Sequence, residues 1–135
     1  MTTPRRGIRS SPVLRVADVP AAVAYYAEIL GFEVGGIWGE PPCFAIVGLG
    51  TVTVMLDAGE KPGRDPVPVN QGWAAYIYID DANTYFAEVN GRGAHIAREP
   101  EDAFYGCRDF DVRDLDGHLL AFGQDLQPGP EGPGL

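Results

Sequence analysis

"YYAEILG", Tyr25 to Gly31, recurs as "YFAEVNG" at Tyr85 to Gly91, 60 residues further on. Downstream, "FAIVGLGTVTVML" (Phe44 to Leu56) lies without gaps over "FDVRDLDGHLLAF" (Phe110 to Phe122), now at an offset of 66. This second match is one of pattern more than identity, but a turn and an apolar strand fall in register. Two matches in the same order mark a duplicated unit of roughly 60 residues.

Both copies have the same physical plan. "SPVLRVADV" (Ser11 to Val19) is a short strand ending at Asp18, whose carboxylate can cap a helix that begins near Val19. Pro20 is tolerated in the first turn, and Gly31 is placed to end the helix. Val19, Ala22, Val23, Tyr26, Ile29 and Leu30 give that helix one apolar stripe. Strands are predicted at about Glu33–Trp38, Phe44–Gly48 and Thr51–Asp57. In the second copy a strand Trp73–Ile79 leads to the Asp80/Asp81 cap and a helix ending near Gly91. Strands at about His95–Arg98, Arg108–Arg113 and His118–Gly123 complete it.

The predicted fold is therefore α+β, with two tandem βαβββ modules, residues 11–58 and 72–125, in one domain spanning 11–125. Residues 1–10 read as an N-terminal arm, 59–71 as a Pro/Gly-rich linker and 126–135 as a disordered tail.

The totals narrow the function. At 135 residues one core is expected. No apolar run approaches the roughly 20 residues that span a bilayer. The basic start, "MTTPRRGIRSSPV", has no apolar segment of the kind a secretory signal needs, so a cytoplasmic location is expected. A net charge of −9, with no basic cluster beyond Arg5 and Arg6, argues against nucleic acid and against an anionic membrane surface. That charge would steer a cationic ligand inward, or it serves solubility alone. Cys43 and Cys107 form no C-x-x-C motif and read as two small buried hydrophobes. There is no P-loop and no dinucleotide fingerprint.

The duplicated plan, with "LRVADVPAAVAYYAEILGFEV" (Leu14 to Val34) and "YGCRDFDVRDLDGHLLAF" (Tyr105 to Phe122), resembles the vicinal oxygen chelate superfamily. That superfamily includes glyoxalase I, extradiol dioxygenases and the bleomycin-resistance proteins, and the resemblance runs from about Ser11 to Gln124. It implies that the modules curl their mixed sheets into a cup that holds the ligand, with the helices outside. In the metal enzymes of the family the ion is held by His, Gln or Glu on the first and last strand of each module. Those positions fall here on Ser11 and Met55 in one module and on Ala74 and Ala121 in the other. None suits a divalent metal. The resemblance thus implies no metal and no other cofactor, leans away from an enzyme, and points to the metal-free bleomycin-resistance members. Those are acidic homodimers that sequester a cationic glycopeptide.

If Ala121 faces the cup, strand alternation turns His118 away from it, so His118 is expected to be structural, beside its turn. His95, near Glu99, Glu101 and Asp102, reads as an edge histidine. The same alternation selects Arg15, Met55, Asp57, Tyr76, Tyr78, Asp109 and Asp111 for the lining, with Trp38 and Tyr105 at the rim. Such a lining suits a small organic ligand, and acids beside aromatic faces suit a cationic one. Arg15 either binds a carboxylate or pairs with Asp57 or Asp111. Tyr76 and Tyr78 either face a ligand or pack in a filled interface.

The expected function is metal-independent binding of a small molecule, sequestering a cationic or aromatic antibiotic of the bleomycin type. The alternative is a metal-dependent lyase, isomerase or dioxygenase with displaced ligands such as Asp57, His95, Glu99 or Asp109.

Overall fold

Asp18 and Asp81 do the same work in the two halves of the chain. In the computed structural model, which describes residues 5–60 and 67–130, each carboxylate accepts a backbone N–H three residues on. The bonds, to Ala21 and Thr84, are both 3.0 Å. They start helices α1 (Val19–Ala24) and α2 (Ala82–Gly91) at the predicted places. The remaining parts of the arm, linker and tail, residues 1–4, 61–66 and 131–135, lie outside the described residues.

Among the described residues eight strands complete the repeat. In the first module β1 (Val13–Arg15), β2 (Glu33–Trp38), β3 (Phe44–Leu49) and β4 (Val52–Asp57) form a sheet in the order β1-β4-β3-β2. In the second, β5 (Trp73–Tyr78), β6 (His95–Asp102), β7 (Cys107–Arg113) and β8 (Leu119–Asp125) form another, in the order β5-β8-β7-β6. The opening strand of each module runs parallel to the closing one, Val13 beside Met55 and Tyr76 beside Ala121, and all other pairs are antiparallel.

One face of each sheet is buried against helices. Leu14, Ala45, Val47 and Leu56 join Val19, Ala22 and Val23 of α1, and Ile77, Phe110, Leu120 and Phe122 join Tyr85 and Val89 of α2, in a single apolar cluster. Alternation then leaves the opposite face of each sheet open. Val13 and Trp38 stand exposed on the first and Trp73 and Tyr78 on the second.

Three details depart from the sequence prediction. The first helix does not stay α-helical to Leu30 but widens into a π turn over Tyr25–Ile29. From that turn Tyr25 donates its hydroxyl to the Arg113 carbonyl (2.9 Å) and Tyr26 donates to Asp114 (2.7 Å), both in the other module. Strand β6 continues past Arg98 to Asp102, because an edge strand tolerates Pro100 at a break in its register. Strand β5 carries an irregularity between Trp73 and Ala75. The second and third of these shape the candidate site.

Polar bonds between the modules complete the seam. Ala17 donates its N–H to Asp116 (2.9 Å), Tyr85 its hydroxyl to the Leu30 carbonyl (2.6 Å), and Arg92 its Nε–H to Ile29 (2.8 Å). His118 belongs to this seam. Its side chain is buried, and Nε2–H donates to the Arg15 carbonyl at 2.6 Å. The histidine is structural, but it lies inside the junction of the modules and is not solvated at a turn. Leu126, at the start of the predicted tail, donates its N–H to Gly106. Among the described residues no helix is long and apolar enough to cross a membrane.

Candidate functional site

The open face of the second sheet brings Trp73, Tyr76, Arg98, Tyr105, Asp109 and Asp111 into one hydrogen-bonded cluster. Asp109 and Asp111 alternate with Phe110 along β7, so Phe110 goes to the core and both acids go to the open face. Both carboxylates are nonetheless buried, because aromatic rings and one arginine cover them. Asp109 accepts the hydroxyls of Tyr76 (2.8 Å) and Tyr105 on the same oxygen. Asp111 accepts the indole N–H of Trp73 at 3.1 Å.

Arg98 reaches over from β6 and spends all its donors here. Its Nε–H and one NH2 group bond Asp111 (3.1 and 2.9 Å), and that same NH2 group bonds Asp109 at 2.6 Å. Its other NH2 group bonds Glu101 (2.9 Å) and the Asp109 carbonyl (3.3 Å). A guanidinium has five N–H donors, and five bonds are made.

The charge states follow from this geometry. Burial alone would push the Asp109 carboxyl up, but hydrogen bonds from Tyr105, Arg98 and Tyr76 outweigh it and hold the group below the usual carboxylate range. Bonds to Asp111, then to Asp109, push the Arg98 guanidinium still higher despite burial. Burial, followed by the bond to Asp109, raises the Tyr76 phenol far above its ordinary value and the Tyr105 phenol to about 12. At neutral pH the phenols are neutral donors, and Asp109 and Arg98 are charged.

Beside this cluster is a hollow of about 430 Å³ lined by Trp73, Arg98, Glu101, Asp102, Ala103, Phe104, Tyr105 and Asp109. Two grooves of about 610 and 460 Å³ run along the seam between the modules and hold Tyr78. The hollow is smaller, but of the three it takes Trp73, Arg98, Tyr105 and Asp109 from the cluster, whereas the larger groove sets Asp80, Glu88 and Arg92 beside Tyr78 and Tyr85.

Of the residues selected from sequence, Tyr76, Tyr105, Asp109 and Asp111 are brought together. Tyr78 packs edge-on against Tyr76, with centroids 5.1 Å apart, but faces the seam. Arg15, Trp38, Met55 and Asp57 lie on the first sheet, and the hollow takes no residue from them. Neither pairing predicted for Arg15 is made. Asp57 accepts the Gly59 N–H (2.8 Å), Asp111 is held by Arg98, and the Arg15 guanidinium packs over Gly59.

Trp73 and Arg98 were missed, and both misses have one cause. A register irregularity inverts strand alternation, so Trp73 joins the Tyr76 face in place of Ala74, and Arg98 meets Asp111 across a broken ladder. The only signals in the sequence were Gly72 before the strand and Pro100 within one.

The four family metal positions fit no ion. Ser11 donates its hydroxyl to the Thr53 carbonyl (2.9 Å), and Met55, Ala74 and Ala121 supply no nitrogen or carboxylate. The displaced alternatives do not converge. Asp57 is on the other sheet, His95 opens β6, and Asp109 is already enclosed by Arg98 and two phenols. Among the described residues no three His, Cys, Asp or Glu side chains are grouped to hold a metal.

Gly123 lets Tyr76 reach Asp109. A Cβ there would overlap the phenol ring and its hydroxyl, and a ring cannot bend aside as an aliphatic chain can. Gly123→Ala is expected to cost about 1–3 kcal/mol through this overpacking, measured by urea unfolding. It should also release the Tyr76 hydroxyl from Asp109, and a stability unchanged from wild type would contradict that packing.

Comparison with solved structures agrees with the topology. TioX from Micromonospora sp. ML1 superposes with a TM-score of 0.71 at 24% identity, covering 89% of this chain and 100% of that one. The bleomycin-binding protein from bleomycin-producing Streptomyces verticillus, complexed with copper(II)-bleomycin, superposes at 0.67 with 23% identity, over 88% and 97%. Lactoylglutathione lyase from Agrobacterium tumefaciens does so at 0.66 with 18% identity, over 90% and 96%. At such identities the likeness is one of fold alone. Comparison with curated proteins gives no match. The family model of the glyoxalase/bleomycin resistance protein/dioxygenase superfamily matches residues 10–122, and with both βαβββ modules in place the chain belongs to that superfamily.

Proposed function

We propose that this chain is a metal-independent, cytoplasmic small-molecule binding protein that sequesters a cationic, aromatic antibiotic of the bleomycin type. One observation carries the reading. Among the described residues the only cation lining the hollow, Arg98, has no donor left for a ligand, while Glu101, Asp102 and Asp109 leave the lining net negative and Trp73, Phe104 and Tyr105 supply flat apolar surface. Within one copy an anionic ligand finds no free side-chain cation there. A cationic one finds both field and faces. A bleomycin-binding protein and a bleomycin resistance determinant have the same fold, which supports the choice of ligand class.

The reading includes a homodimer. Each open sheet face leaves large hydrophobic residues exposed, which favours a second copy covering them. In that arrangement Arg15, Trp38, Met55 and Asp57 of one copy would complete the site around Tyr76, Tyr78, Tyr105, Asp109 and Asp111 of the other.

Calorimetric titration of the full chain with metal-free and copper-loaded bleomycin tests the reading. Saturable binding with the glycopeptide recovered unaltered is expected. Absence of binding, or conversion of the ligand once a divalent metal is added, would reject it, and conversion would favour the enzyme alternative.

A further inference from the structure

We propose that the hollow over the second sheet selects a cation that carries no N–H donors, such as a quaternary ammonium or another fully alkylated onium group, over a primary ammonium. This rests on the reading of the hollow as a ligand site and goes beyond it, because a charged pocket would ordinarily accept any cation.

The argument begins from the acceptors. A primary ammonium brings three donors and gives up strong hydration on entering, so it needs acceptors in return. In the cluster beside the hollow those acceptors are largely taken, since Asp109 and Asp111 each already accept three hydrogen bonds. One Asp109 oxygen receives Arg98 and the other receives both phenols. One Asp111 oxygen receives Arg98 and Trp73, and the other receives the Arg98 Nε–H. What remains is Glu101 and Asp102, each already bonded to an arginine and with side chains 64% and 68% exposed, where water competes. An N–H-bearing cation would exchange good hydrogen bonds for poor ones.

An alkylated cation loses little by comparison. It is weakly hydrated, needs no acceptor, and is attracted to ring faces and to the net negative field. Rings are available and held in place. Tyr76 is packed edge-on against Trp73 (5.1 Å) and Tyr105 (6.2 Å), and Phe104 packs edge-on against Tyr105 (5.1 Å). Phe104 is fully exposed at the rim. The Tyr105 hydroxyl donates to a carboxylate, which polarises the phenol towards phenolate and makes its ring face more attractive to positive charge.

Three probes separate the contributions, two of one shape and one smaller by three methyl groups. Choline has an onium head, ethanolamine replaces it with a primary ammonium, and 3,3-dimethylbutan-1-ol replaces it with a neutral carbon isostere. Each is titrated into the ¹⁵N-labelled full chain while the Trp73 indole N–H resonance is followed. The Trp38→Phe variant assigns the signal. Choline is expected to bind about tenfold more tightly than either other probe, since one desolvated cation–ring contact is worth about that factor. Tyr105→Leu should remove most of the preference, and Tyr105→Phe, which keeps the ring, should retain part of it.

Ethanolamine binding as tightly as choline, the neutral isostere doing so, or no shift with choline would each overturn the proposal. The three-probe ranking uses the unaltered chain, so it stands even if a variant fails to fold. A chain that binds bleomycin but ranks ethanolamine with choline loses the selectivity and keeps the binding function. The reverse result would reject the glycopeptide and keep the onium site.

Discussion

Arg98→Ala is expected to lower stability by about 3 kcal/mol and to abolish ligand binding. Removing one partner of a buried ionic cluster leaves the others charged without compensation, which costs about 3–5 kcal/mol in a dry interior. The lower end applies because the Arg98 side chain is 26% exposed. Two carboxylates would remain, Asp109 at 1% exposure and Asp111 at 10%, side by side without a counter-charge. The pH dependence has a definite sign. Asp109 is held below its ordinary range, so its contribution is fully present above the unfolded value, near 4, and is lost as pH falls through the folded one. The difference between wild type and Arg98→Ala should therefore shrink on acidification below about pH 4. Urea unfolding at a series of pH values measures this. A loss under about 1 kcal/mol at neutral pH would mean that water screens the cluster as it does a surface pair.

The second large effect is expected at Asp114, far from the hollow. Its carboxylate accepts the N–H groups of Asp116 (3.0 Å) and His118 (2.9 Å) on one oxygen and the Tyr26 hydroxyl (2.7 Å) on the other. Asp114→Ala strands three donors in a buried site and should cost about 2–4 kcal/mol. Asp114→Asn keeps an acceptor for both backbone groups and offers an N–H to the Tyr26 oxygen, so a smaller loss is expected. Burial is the main influence on Asp114 and raises it, opposed by the bond from Tyr26. For a raised carboxyl the sign reverses, and folding is favoured as pH falls through the folded value towards the unfolded one. Asp114→Asn should accordingly lose ground against wild type on mild acidification. Equal stability of the Ala and Asn variants would show that the hydrogen bonds there contribute little.

The frame of the molecule was legible because it follows local rules. The Asp18 and Asp81 caps and the Gly-bounded strands are written in nearby residues, and both helices start, and most strands lie, where those signals placed them. The site was half legible. Tyr76, Asp109 and Asp111 follow from alternation within unbroken strand segments. Trp73 and Arg98 do not, because a register irregularity changes which face each later residue takes, and its position is set by pairing with a distant strand. Within one copy Arg15 lies on the other sheet and Arg98 pairs with Asp111 instead, which was not legible for a related reason. Periodicity assigns a residue to a face of its own sheet but does not say which other sheet that face will meet.

The turn from Asp114 to His118 constrains how a duplicated chain of this kind can change. A tandem repeat begins as two interchangeable copies, each free to be lost, moved or recombined. Here the second copy's turn holds the first copy's Tyr26 hydroxyl, Ala17 N–H and Arg15 carbonyl. The partners are unlike, so neither half could be replaced by a duplicate of the other. Splitting the gene at the linker would leave buried polar groups orphaned in both products. The repeat persists as a pattern in the fold, but the unit that selection can act on is now the whole pair.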